Sequence, residues 1–310
     1  MSGFDRLSPA LQYQIVNGLG FESLRPVQEL SIPPILDGAN CVVLAPTAGG
    51  KTESAFFPLL SQMDTEGWEP VSVLYISPIR ALLNNQEERL RGYARMLGRR
   101  VAVWHGDVSQ RDKKAFLKEP ADILLTTPES LEVMLMSAKV PSRRLFAGLR
   151  AVVIDEIHAF AGDDRGSHLM AVLERLCRFC GRDVQRIGLS ATVGNPEEIL
   201  TWLQGSSTRP GVMVSPPRPP TSPEIVIDYV GTLENAARVI AQMHRGKKRL
   251  VFLDSRAGVE SLGQHLRGLG VDTHVLHSSL APDERRRSEV PRVKYPAPSA
   301  TIRNPHVATA

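Results

Sequence analysis

The sequence predicts an α/β chain built on a doubly wound parallel sheet, followed by a second, incomplete α/β unit. Three observations carry that prediction. Short apolar runs rich in β-branched residues recur at 41–45, 72–77, 101–104, 122–126, 151–155 and 186–190, and helical patterns such as 80–97 and 128–136 separate them. The runs are apolar throughout rather than alternating, as befits strands covered on both faces, and strand–helix alternation makes such a sheet parallel. The first run also breaks into a small-residue loop ending Gly49-Gly50-Lys51-Thr52, and the fifth ends in Asp155-Glu156.

After a short helical lead, the run from Cys41 delivers the loop Ala45-Pro46-Thr47-Ala48-Gly49-Gly50-Lys51-Thr52. Its chemistry is that of a phosphate cradle. Loop N–H groups wrap a β-phosphate, Lys51 neutralises β/γ oxygens, and the Thr52 hydroxyl is offered to Mg²⁺. A helix opening near Thr52 adds its positive end. The usual leading glycine is replaced by Ala45, and a Gly-Lys-Thr triplet also arises by chance, so hydrolysis needs a second site. The run Ala151-Val152-Val153-Ile154 supplies it by ending in Asp155-Glu156-Ile157-His158. At the carboxyl edge of a parallel strand, Asp155 would hold the Mg²⁺ shell and Glu156 would orient and deprotonate the attacking water. An Asp-Glu pair capping the next helix is the bland alternative.

These residues resemble a named series. Ala45 to Thr52 resembles the A-x-x-x-x-G-K-T loop of superfamily 2 helicases, and Asp155 to His158 resembles their DExH box. Phe21 with Arg25-Pro26-Val27-Gln28 resembles the Q motif, Ser77-Pro78-Ile79-Arg80-Ala81-Leu82 motif Ia, Thr126-Thr127-Pro128-Glu129-Ser130-Leu131 motif Ib, and Ser190-Ala191-Thr192 motif III. Both His158-Ala159-Phe160-Ala161-Gly162-Asp163-Asp164-Arg165-Gly166 and Gly188 to Pro196 resemble the Lhr-type large helicases in particular.

The resemblance implies RecA-like domains and an ATP-driven translocase that tracks single-stranded DNA, generally 3′ to 5′, and unwinds duplexes or DNA–RNA hybrids in nucleic-acid repair. Its implied cofactors are ATP and Mg²⁺. It implies that Phe21, Arg25 and Gln28 hold the adenine, that Thr47, Ala48, Gly49, Gly50, Lys51 and Thr52 hold the phosphates, and that Thr52 and Asp155 hold the metal. Lys51, Asp155 and Glu156 are the catalytic set, and His158, Ser190 and Thr192 link hydrolysis to the nucleic-acid grip. Pro78, Arg80, Gly106, Thr127, Pro128, Glu129 and Ser130 are expected on the nucleic-acid backbone. Loop amides, hydroxyls and helix starts suit phosphate oxygens and carry no base information, so tracking should be independent of sequence. Trp104 lies in a strand pattern, which favours a packed indole over base stacking.

Composition permits this reading without proving it. At 310 residues the chain is long enough for two domains, and a formal charge of +4 suits a polyanion partner. Only 5% of residues are aromatic, which disfavours an extended base-stacking platform. The three cysteines give no disulfide framework, and Cys177-Arg178-Phe179-Cys180 lies inside an amphipathic helical pattern with no second metal-ligand pair. No apolar run reaches the roughly 18 residues of a membrane span, and Met1 to Gln12 carries no apolar signal core, so a cytoplasmic protein is expected.

The first domain is expected over 1–205, with a Pro/Ser-rich linker over 206–223 centred on Pro216-Pro217-Arg218-Pro219-Pro220. Glu224-Ile225-Val226-Ile227 then reads as the opening strand of a partial second domain over 224–289. Arg249 to Arg256 reads as a strand running into a capped helix and resembles motif IV, while His277-Ser278-Ser279 resembles the next family block; Arg256 and His277 are the implied backbone contacts. Beyond Glu289 the resemblance stops. Val290 to Ala310 passes through Pro291, Pro296, Pro298 and Pro305 with no apolar period and is expected to be an irregular tail. The Q-x-x-G-R-x-G segment that carries arginine fingers in the family has no counterpart here. A truncated or frameshifted reading of a longer helicase accounts for the break, and a motif V or VI in another frame of the coding DNA is the check. The rival is a short protein whose tail binds nucleic acid through Arg285, Arg286, Arg287, Arg292 and Lys294.

Overall fold

The computed structural model describes residues 2–46, 48–191, 193–217, 225–244 and 246–277, apart from the Ala81 side chain, together with the backbone of 299–303. The chain divides into two units after Pro219.

In the first unit, β1 (Asn40–Leu44), β2 (Val73–Ile76), β3 (Val101–Trp104), β4 (Ile123–Thr126), β5 (Ala151–Ile154), β6 (Gln185–Ser190) and β7 (Gly211–Val214) form one parallel sheet. Their spatial order is β3-β4-β2-β5-β6-β1-β7. Successive residues of a strand feed opposite layers, as a pleat requires. Cys41 and Val43 pack in one core with Ile32, Phe56, Phe57 and Leu90, whereas Val42 and Leu44 pack in the other with Leu131, Leu169, Leu173 and Leu203. Burying each large apolar side chain contributes about 1.5–3 kcal/mol. Two-sided burial is why these strands read as unbroken apolar runs.

The helices are α1 (Pro9–Tyr13), α2 (Pro26–Leu36), α3 (Lys51–Glu66), α4 (Arg80–Arg95), α5 (Gln110–Lys118), α6 (Pro128–Met136), α7 (Ser142–Leu145), α8 (Asp164–Cys180) and α9 (Pro196–Gln204). Several starts are written locally. Ser8, Ser109, Thr127 and Asp163 each accept a backbone N–H of the following first turn, and α2 and α6 open on proline. Cys177 and Cys180 both lie on α8. No described helix is long and apolar enough to cross a membrane.

β7 corrects the sequence reading. It lies inside the segment expected to be a linker, yet it adds to the first sheet by pairing with β1 from Asn40↔Gly211 to Val43↔Val214. Its residues, Gly-Val-Met-Val, sit between Pro210 and a proline-rich stretch, so local composition hides a pairing whose partner is 171 positions away.

The second unit holds α10 (Leu233–Met243), β8 (Arg249–Phe252), α11 (Arg256–Gly268), β9 (Asp272–Leu276) and β10 (Ser299–Arg303). Its sheet is parallel, in the order β8-β10-β9. Ala237, Val259, Leu262, Leu266, Val271 and Val275 form a small core. Two expectations fail here. The described part of the 224–227 strand has no sheet partner among the described residues, and Ile225, Val226 and Ile227 are exposed. An apolar run makes a strand only where an edge accepts it. Conversely, the tail expected to be irregular contributes β10, because Ser299 to Arg303 is a proline-free stretch between Pro298 and Pro305, with every N–H free to join a ladder and two β-branched residues in it.

Candidate nucleotide and nucleic-acid site

Because the first sheet is parallel, the loops after β1 to β6 all leave its carboxyl edge, where open α/β sheets bind ligands. The loop after β1 is held in a shape that few residues tolerate. Ala48 has φ +59° and Gly50, which precedes α3, has φ +93°. A Cβ on Gly50 would lie 2.6 Å from Gln28 Nε2, so this glycine answers both to conformation and to close approach. Gly50→Ala is expected to cost about 1–3 kcal/mol, read as a lowered midpoint of thermal unfolding alongside weaker nucleotide binding; an unchanged midpoint contradicts the tight fit.

Lys51, 9% exposed, donates to Ala45 O at 3.2 Å and lies 3.8 Å from Glu156 Oε1. Thr52 Oγ1 lies 3.5 Å from Gln86 Oε1. On the other flank, the Gln28 side chain is almost fully buried and accepts the Arg25 N–H at 2.8 Å, while Arg25 Nη1 donates to Ala48 O. Phe21 packs edge-on to Phe57 of α3, with ring centroids 5.9 Å apart. The expected adenine-binding residues are thus fastened to the phosphate loop. Thr47 and Thr192 lie outside the described residues.

After β5 the buried Asp155 carboxylate is set from two sides: Oδ2 accepts the Tyr75 hydroxyl and Oδ1 accepts the Glu156 N–H at 3.1 Å. Burial pushes the Asp155 carboxyl above its ordinary value, and the Tyr75 hydrogen bond works against that rise. Burial and the Asp155 charge together push the Tyr75 phenol well up, so it stays a donor. Glu156 sits at φ +46°, a left-handed conformation that costs a non-glycine residue about 1–3 kcal/mol. That backbone places its carboxylate between Lys51 and His158. His158 Nε2 is 3.4 Å from Glu156 Oε2, and Nδ1 is 3.1 Å from Ser190 Oγ at the end of β6. A continuous polar line therefore runs Lys51, Glu156, His158, Ser190.

The remaining loops make a second group. Arg80, at the start of α4, pairs with Asp107 at 3.0 Å, and a Cβ on Gly106 would lie 3.1 Å from Arg80 Nη2. Thr127 caps α6 by accepting the Ser130 N–H at 3.3 Å, and their hydroxyls lie 3.1 Å apart. Pro128 is buried in the first turn. Pro78 and Glu129 both meet Arg165. Trp104 is a core residue, edge-on to Phe116 at 5.8 Å. In the second unit, Arg256 opens α11 behind its Ser255 cap, and His277 Nε2 lies 2.8 Å from Glu260 Oε1.

Tyr75, Gln86 and the role of Arg165 were not marked out by sequence. Gln86 had a signal, since Gln86, Arg89 and Tyr93 recur on one face of α4 and meet Thr52 and Glu53 of α3. Tyr75 had none, because its partner depends on β2 lying beside β5. Among the described residues no group of three or more His, Cys, Asp or Glu is placed to hold a metal by itself.

Residues 25–199 match the DEAD/DEAH box helicase family. The chain is 33% identical over 288 residues to a protein of Mycolicibacterium smegmatis named Lhr helicase/probable uracil glycosylase, a match covering 85% of this chain and 19% of that one. It is 34% identical over 306 residues to the ATP-dependent helicase Lhr-Core protein 2 of Thermococcus barophilus, covering 87% of this chain and 35% of that one. The chain thus spans a fifth to about a third of the length of these relatives. The solved structure of Mycobacterium smegmatis helicase Lhr bound to ssDNA and AMP-PNP is similar with a TM-score of 0.78 and 28% identity, over 98% of this chain and 42% of that chain.

Proposed function

This chain belongs to the DEAD/DEAH box helicase family, and from that premise we propose that it carries an ATP-hydrolysing motor site that grips single-stranded nucleic acid, DNA or a DNA–RNA hybrid, in the manner of Lhr helicases. The observation that carries the reading is the polar line from Lys51 through Glu156 and His158 to Ser190. It joins the phosphate loop to the carboxylate loop and then to the end of β6, so a change at the nucleotide has a physical route out of its pocket.

In this reading the amides from Thr47 to Gly50 wrap the β-phosphate, Lys51 balances the β/γ charge, and Phe21, Arg25 and Gln28 hold the base. Glu156 accepts the proton of the attacking water. The Thr52 hydroxyl and the Asp155 carboxylate are oxygen donors of the kind Mg²⁺ selects, so the residues fit that ion. When bound, it would neutralise charge on the β and γ phosphates. Tyr75 fixes one Asp155 oxygen and favours the charged form. Tyr75→Phe is expected to raise by about fivefold the Mg²⁺ needed to support nucleotide binding, the worth of about 1 kcal/mol for one hydrogen bond; a superimposable Mg²⁺ titration contradicts that role.

Pro78, Arg80, Gly106, Thr127, Pro128, Glu129 and Ser130 form the proposed backbone grip of the first unit, and Arg256 and His277 that of the second. The test is steady-state ATP hydrolysis with and without single-stranded DNA, against Glu156→Gln. Stimulation by DNA above that variant supports a motor site. ATPase indifferent to nucleic acid points to a P-loop enzyme with another substrate. The 310 residues contain no Q-x-x-G-R-x-G segment, and lack of an arginine finger costs on the order of 10³ to 10⁵ in rate, so turnover is expected to be slow. Tight ATP and DNA binding without turnover would mark a binding module instead.

A further inference from the structure

Glu129 is an odd member of a phosphate-binding group, because a carboxylate repels phosphate oxygens rather than holding them. Its surroundings give it other work. Arg165 Nε donates to Glu129 Oε1 at 2.9 Å, and the same guanidinium donates through Nη2 to the Pro78 carbonyl at 3.0 Å. The Arg165 guanidinium carbon also lies 5.5 Å from the centroid of the Phe160 ring. Burial opposes ionisation of Glu129, but its own amide and Arg165 outweigh that and hold the carboxyl below its usual range.

One side chain thus joins three segments: the loop after β2, the first turn of α6, and the segment that follows Glu156 and His158. Its own position is fixed by local sequence. Asp163 accepts the Arg165 N–H at 2.8 Å to start α8, and a Cβ on Gly166 would fall 2.0 Å from Phe160 O, so the helix can start this close only with glycine there. Lysine could not reproduce the arrangement, since a planar fork with several fixed donors is needed to reach a carbonyl and a carboxylate at once while lying on a ring.

We propose that Arg165 is a positioning residue for nucleic-acid binding: it staples the Pro78 loop to the Glu129 turn, fixes the separation of the two proposed grip loops, and cancels the carboxylate charge that would otherwise face a phosphate chain. The inference rests on the reading of those loops as a backbone grip. No direct contact between Arg165 and nucleic acid is required.

The experiment measures binding of a fluorescein-labelled oligo-dT by anisotropy, in parallel with binding of a fluorescent ATP analogue, for the full chain and for Arg165→Ala, Arg165→Lys, Glu129→Gln and the Arg165→Ala/Glu129→Gln double variant. Arg165→Ala is expected to weaken DNA binding by tenfold or more with nucleotide affinity unchanged, and Arg165→Lys to fail to restore it. In the double variant, neutralising Glu129 removes the repelling charge, so part of the loss is recovered. A residue of merely structural importance would lower both affinities together and show no such recovery. DNA affinity within twofold of the parent in Arg165→Ala overturns the staple while leaving the grip reading intact. A parent chain that binds nucleotide but no oligonucleotide overturns the grip reading, and the staple with it.

Discussion

Lys51→Ala is expected to weaken ATP binding by about a hundredfold, the larger end of what one charge-assisted hydrogen-bond donor contributes at about 1.5–3 kcal/mol. The effect is large because of where the ammonium sits. It is 9% exposed, anchored on the Ala45 carbonyl at the start of the loop, and 3.8 Å from Glu156. Water screens it poorly there, so its attraction for a polyphosphate exceeds that of a surface lysine. Removing it also leaves Glu156 as an uncompensated negative charge facing the incoming phosphates, and the two losses act in the same direction. The fold should tolerate the change, since Lys51 opens α3 and alanine is a good helix former. Titration with a fluorescent ATP analogue, beside a thermal melt, separates a lost site from a lost fold. Equal nucleotide affinity in parent and variant contradicts the assignment of the phosphate loop.

Much of this site was legible because its chemistry is written within short segments. Gly49-Gly50-Lys51-Thr52 and Asp155-Glu156 each sit directly after a run of buried residues, and a strand that is apolar throughout can only deliver its last residues to the edge of a covered sheet. What escaped the sequence depended on strand order. Tyr75 is one more apolar position of a buried strand until β2 is placed beside β5, and only then does its hydroxyl meet Asp155. Arg165 reads as a solvated charge at a helix start, and its partners lie 36 and 87 positions away.

The fold shows the same division. The six runs read as strands in the first unit are strands, since burial on both faces is visible in composition. β7 and β10 were hidden, and 225–227 was read as strand, because joining a sheet requires a free edge in register as well as an apolar segment. Pro210 and Pro298 misled for one reason. Proline marks where a ladder cannot continue, yet a strand can begin directly after it.

Glu156→Gln is expected to leave ATP bound while cutting hydrolysis by about 10² to 10⁴, the contribution of a well-placed general base. The substitution is nearly isosteric, so the left-handed backbone at φ +46° and the hydrogen bond from the Glu156 N–H to Asp155 should persist. What changes is the charge. Glutamine cannot accept a proton at neutral pH, and it gives Lys51 no counter-charge, which leaves the ammonium fully available to the phosphates; affinity for ATP should therefore hold or rise. The line to Ser190 is affected differently. Glutamine can still hydrogen-bond His158 through its amide, so the contact survives without the electrostatic attraction that operates when the imidazole is protonated. Binding of single-stranded DNA in the presence of ATP should consequently remain, with the chain held in its nucleotide-loaded state. Pre-steady-state measurement of phosphate release beside nucleotide binding decides the matter. Hydrolysis within tenfold of the parent would show that another group takes the proton, and a parallel loss of ATP affinity would show that Glu156 shapes the pocket rather than the chemistry.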